Sequence, residues 1–143
     1  MVREPLDTLL RLRKLAVQDQ IRALAAALRA EDVAHQARAV WADTIVRETT
    51  AARSLAGRDP ALDGFIEWRA RAVEALRGAE AQVAIAAAQA QTERSALGDA
   101  RGAMRAVELA LERRKVTADE AAQRAAQHAL DDTSRPCSAH DVT

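Results

Sequence analysis

The side chains best able to ligate a metal or to serve as nucleophile or base in this chain are three histidines, His35, His128 and His140, and one cysteine, Cys137. None has the spacing such chemistry needs. A helical zinc site wants a second histidine at i+4 and a thiolate site a CxxC pair, and neither accompanies any of the four. The stretch GDARG at Gly98 to Gly102 lacks the lysine and the preceding strand of a phosphate loop. The expectation is therefore no catalytic residue, no metal and no cofactor, with the histidines solvated or in a helix seam. What remains for chemistry is charge and aromatic surface. Basic residues cluster at Arg11, Arg13 and Lys14 and again at Arg113, Arg114 and Lys115, while the rings Trp41, Phe65 and Trp68 gather in mid-chain. Groups of this kind dock partners rather than transform substrates.

The elements that position them follow from composition. The chain has 143 residues and is 49% hydrophobic, but 36 of those residues are Ala and only three are aromatic. Five Gly, three Pro and 29% charged residues rich in Arg and Glu indicate long helices or coiled coils and exclude sheets and barrels. Charges balance at 21 against 21, so no global field draws the chain to nucleic acid or to an anionic membrane, and binding must be local. The preponderance of Arg over Lys decides nothing. A single Cys137 cannot form an internal disulfide, and no apolar run approaches membrane-spanning length, so a soluble cytoplasmic protein without direct membrane insertion is expected.

Gly57-Arg58-Asp59-Pro60 reads as a helix stop followed by a helix start, with Gly57 as C′, Asp59 as N-cap and Pro60 at N1. The expected fold is all-α: two long helices forming an antiparallel coiled-coil hairpin over 1–131, helix 1 about 5–56, turn 57–60 and a longer helix 2 about 61–130. A disordered tail is expected over 132–143, where periodicity is lost. Stepping 3, 4, 3, 4 from Leu62 to His128 finds apolar residues at 16 of 20 positions, the period of a left-handed coiled coil. If helix 1 folds back across a loop near 58, facing residues have numbers adding to about 117. That rule selects Leu55, Ala52, Glu48, Ile45, Trp41, Arg38 and so on down to Leu10 and Leu6, of which ten of 15 are apolar. Ile21 and Leu28 suggest a local drift of the stripe between Val17 and Val33. The same register sets Glu48 opposite Arg69, and an ion pair fixing register is expected there, although two side chains snorkelling separately to water would also fit. Helix 2 should project beyond its partner by about 30 Å. Its seam there, Ala118, Ala121 and Ala125, is narrow and suits insertion into something else.

Residues 3 to 22 and 101 to 115 together hold ten cations against five anions, so one end of the hairpin is basic. Solvated helix surface explains this as well as docking to an acidic protein does. Phe65 and Trp41 fall on the seam and read as core packing. Trp68 falls beside it at g and Ile66 at e, where large apolar groups are partly exposed and can anchor a partner.

The opening LDTLLRLRKLAVQDQIRALAAALRAE, the mid-chain restart GFIEW and the closing RAVELALERRKVTADEAAQRAAQHALDD resemble the FliJ family, the small coiled-coil component of the bacterial flagellar type III export apparatus. The resemblance implies a stalk similar to the rotary γ subunit of F-type ATP synthase. Its partners would be the export ATPase hexamer, the export-gate membrane protein and export chaperones, at the flagellar basal body beside the inner membrane. It would serve protein transport, flagellum biogenesis and motility. On placement alone, Arg11, Arg13, Lys14, Arg113, Arg114 and Lys115 would face the ATPase ring, and Ile45, Phe65, Ile66 and Trp68 the gate. The unequal arms, the tail around Cys137 and the lack of tyrosine depart from the family. Stalks of virulence type III secretion systems, a general cytoplasmic coiled-coil scaffold and a phasin-like granule coat are the alternative readings.

Overall fold

The computed structural model describes residues 5–55 and 60–133, which form two helices, α1 (Pro5–Arg53) and α2 (Ala61–Thr133). No strand occurs among the described residues. The proposed stop and N-cap at Gly57 and Asp59, and Cys137 and His140 with most of the expected tail, lie outside them. At a rise of about 1.5 Å per residue the 49 residues of α1 extend over about 73 Å and the 73 of α2 over about 110 Å.

Local chemistry accounts for the helix ends. α1 opens on Pro5, whose missing N–H has no helical acceptor to lose, and Asp7 in the first turn and Arg53 in the last complement the helix dipole. It stops at Arg53, earlier than the expected 56. There the Ser54 and Leu55 amides donate to the carbonyls of Ala51 and Ala52, at 3.1 and 3.2 Å, tightening the chain into three-residue turns. The Ser54 hydroxyl donates to the Ala51 carbonyl as well, at 2.6 Å, satisfying an acceptor that the helix end leaves open. α2 begins at Ala61, directly after Pro60, with Asp63 in its first turn. It runs to Thr133, so Asp132 and Thr133, expected in the tail, are helical. The Thr133 hydroxyl donates to the Leu130 carbonyl at 2.8 Å.

Contacts group the chain into two units, Met1–Lys14 with Gly102–Thr143, and Leu15–Arg101. In the Leu15–Arg101 unit the two helices run antiparallel. Arg38 Nε lies 3.7 Å from Glu80 Oε1, and a shared groove is lined by Ala30, Val33 and Ala37 of α1 and by Gln82, Ile85 and Gln89 of α2. Arg38 and Glu80 add to 118, within one residue of the register read from the heptads. In the other unit Asp7 and Leu111 line one pocket, and their numbers also add to 118.

Burial follows the expected seam. Ala72, Ala90, Leu97 and Val107, the buried residues of α2, are all seam positions, and so is Ala27, the buried residue of α1. From Leu62 to Leu111 every seam position of α2 except Arg69 is buried or half-buried. Three expectations need correction. The stripe does not drift in α1, because Gln20, Leu24, Ala27 and Glu31 hold the seam while Ile21 and Leu28 are 46% and 37% exposed. Trp41 is 37% exposed rather than enclosed, since a seam built largely of Ala is too shallow to cover an indole. Glu48 and Arg69 do not pair. Glu48 Oε1 lies 3.5 Å from Arg47 Nε, and Arg69 is exposed to water. A guanidinium that can reach solvent along its alkyl stem gains little from a half-exposed carboxylate.

Candidate functional site

The first unit holds the candidate ATPase-side residues. Arg11, Arg13 and Lys14 come from α1 and Arg113, Arg114 and Lys115 from α2, and all six are exposed. Their spacing explains part of this: positions 11 and 14, like 113 and 115, fall outside the a/d stripe, whereas Arg114 is a seam position that is nonetheless exposed. Arg13 is a seam position left open to water. Asp7 joins Leu111, Arg114, Lys115 and Ala118 around an open pocket of about 360 Å³, so the antiparallel register brings the start of α1 beside the second cluster. Arg105 is partly neutralised, 3.1 Å from Glu108 and 3.6 Å from Glu112. Among the described residues no carboxylate lies within ion-pair distance of Arg11, Arg13, Lys14, Arg113 or Lys115. Over 5–14 and 102–115 seven cations stand against three anions, a local net charge of +4.

Past this cluster α2 is exposed to solvent. Every residue from Glu112 to Thr133 is exposed, including Val116 at 56% and Leu130 at 68%. The stretch changes sign as well, since over 116–133 Asp119, Glu120, Asp131 and Asp132 face a single Arg124, itself 3.2 Å from Glu120. Sequence reading placed the basic residues but passed over this acidic continuation, whose signal was the ADE and LDD runs.

The candidate gate-side residues lie in the Leu15–Arg101 unit. Phe65 and Trp68, three residues apart and so on one helix face, stack with ring centroids 5.9 Å apart and planes at 28°. Gly64 and Ala61 leave room beside the rings, and Thr44 and Glu48 of α1 close a pocket of about 310 Å³ around them. Trp68 is therefore half-buried, more covered than its g position suggests. Ile66 turns to another side of α2 and stays 65% exposed, and Ile45 is half-buried. The structure thus brings two of the four gate candidates together and leaves Ile66 apart. Trp41, assigned to the core by sequence, is the exposed ring that the heptad count missed.

No group of three His, Cys, Asp or Glu side chains that could hold a metal occurs among the described residues, and no described helix is long and apolar enough to cross a membrane. What the described surfaces carry is exposed cations from two helices and an aromatic pair at the rim of a small groove. No protein-family model, no curated protein and no solved structure matches the chain.

Proposed function

We propose that the chain is a non-enzymatic stalk component of a bacterial flagellar type III protein export apparatus, binding the export ATPase ring, promoting its assembly and coupling it to the export gate. The observation that carries this reading is the convergence of cations from α1 and α2 next to a helical stretch, 116–133, whose residues are all exposed. A ring with acidic inner loops would attract the cations at long range, and the exposed helix would supply contact area once engaged. The stacked Phe65 and Trp68 are the apolar surface assigned to the gate protein, with Ile45 and Ile66 as separate candidate contacts, and export chaperones are further partners. On this reading the protein works in the cytoplasm, peripheral to the inner membrane, without inserting into it. A virulence secretion stalk would differ in its cognate ATPase and not in this chemistry.

The test is hydrolysis by the export ATPase of the same organism, measured with and without the chain. Stimulation with increased hexamer formation supports the proposal. No effect on either rate or assembly at saturating chain would overturn it.

A further inference from the structure

α1 carries more apolar surface than its partnership with α2 uses. A helix that packs on one other needs only the narrow a/d seam, whereas a helix in a larger bundle shows a wider stripe. Beside its seam α1 presents a second stripe at the same 3–4 spacing: Ala23, Ala26, Ala30, Val33, Ala37 and Val40. α2 continues the surface with Ala75, Gly78, Gln82, Ile85, Gln89 and Ala96. No Asp, Glu, Lys or Arg occupies this face between Ala23 and Thr44 or between Ala75 and Ala96, in a chain that is 29% charged. The structure leaves it open. Val33 and Val40 are each 64% exposed and Ile85 is 61% exposed, and between the helices runs a groove of about 480 Å³.

We infer that this face is a self-association surface, on which a second copy of the chain docks to form a four-helix bundle. Three features favour a second copy. A face without charge can meet itself about a two-fold axis without opposing like charges, which a basic or acidic face cannot do. It also carries both halves of a fit, because Val33, Val40 and Ile85 project as knobs and the Ala and Gly positions around them form holes of the same surface. The area suffices as well. Twenty-two residues of helix, about 33 Å long, and two helix widths, about 18 Å, give a footprint of roughly 600 Å² per copy, or about 1,200 Å² in all, the lower bound for a specific contact. The dimer is accordingly reversible, and the charged edge at Arg22, Arg29 and Glu74 forms its polar rim. It involves the Leu15–Arg101 unit and is independent of the export reading, so a single copy remains able to act elsewhere.

The test is light scattering and sedimentation equilibrium of the purified full chain over a wide concentration range. Expected is a concentration-dependent rise from 15.4 kDa to twice that mass. Val33→Glu and Ile85→Glu should each weaken the dimer at least about tenfold. Val46→Glu, at a site 66% exposed on the far side of α1, should leave it unchanged. Circular dichroism checks that helix content is retained, and Val33→Ser and Ile85→Ser serve as milder variants with the same expected direction. A monomer at every concentration overturns the inference and assigns the face to solvent or to a different protein. A dimer of equal strength in the Val33 and Ile85 variants, or one weakened as much by Val46→Glu, overturns it too and places the contact elsewhere.

Discussion

Gln20 Oε1 is buried and accepts no hydrogen bond, an unusual position for an amide oxygen in so thin a core. Its seam position forces it inward, and the register sets it at the level of Leu97, which is 7% exposed. Replacing it by leucine removes an unsatisfied acceptor and adds apolar area, so Gln20→Leu should raise unfolding stability by about 1 kcal/mol in urea titrations. Glu48 and Arg69 illustrate the opposite case. Opposition on a heptad diagram gives proximity of backbones, but in a two-helix layer both side chains reach water, and the carboxylate settles 3.5 Å from Arg47 instead. A double-mutant cycle on Glu48 and Arg69 should therefore show coupling within about 0.3 kcal/mol of zero. Positions of this kind are legible from sequence only as far as the backbone; which neighbour a long charged side chain chooses depends on hydration that no residue pattern records.

At the scale of the helices, the α2 seam was readable almost residue by residue, because a 3.5-residue period sustained from Leu62 to Leu111 leaves one face that can be covered. α1 was harder. Large residues beside the seam, Ile21 and Leu28, pulled the reading sideways, yet small Ala27 is the residue buried, since close approach favours alanine over a branched chain that must splay the helices. The partial cover over Trp68 has a related cause. A ring at g with Gly64 beside it can lie back on Phe65, and heptad letters do not encode that freedom. Gly64, Gly78, Gly98 and Gly102 fall outside the a/d seam, and a Cβ added at any of them would meet nothing within 4 Å. Each Gly→Ala change should raise thermal stability by about 0.5–1 kcal/mol, read from the shift of the helical melting curve. The exposed end of α2 should behave differently from its middle: amides of 116–133 should exchange with deuterium well before those of 72–97, where Ala72, Ala90 and Leu97 are buried.

The composition of the whole molecule, 49% hydrophobic with zero net charge, conceals its organisation. Alanine makes up much of the apolar share and serves close helix contact rather than a globular core, and neutrality is a balance of local excesses. The +4 over 5–14 and 102–115 is followed by a net −3 over 116–133. Fold class and the location of the cations were therefore legible in the sequence, because both follow from periodicity and residue type. The acidic continuation was there to be read in the ADE and LDD runs, whereas the open groove at Val33 and Ile85 and the partial exposure of Trp41 emerge only when both helices are placed. If the cations dock the chain to an ATPase ring, their effect must fade as salt screens them. The most direct measurement is stimulation of the cognate export ATPase, across a range of salt concentrations, by the native chain and by a variant with Arg113, Arg114 and Lys115 replaced by Ala. The account predicts that half-maximal stimulation by the variant needs about tenfold more chain at low salt, the difference narrowing as salt rises. Equal stimulation by the two chains at every salt concentration would contradict it.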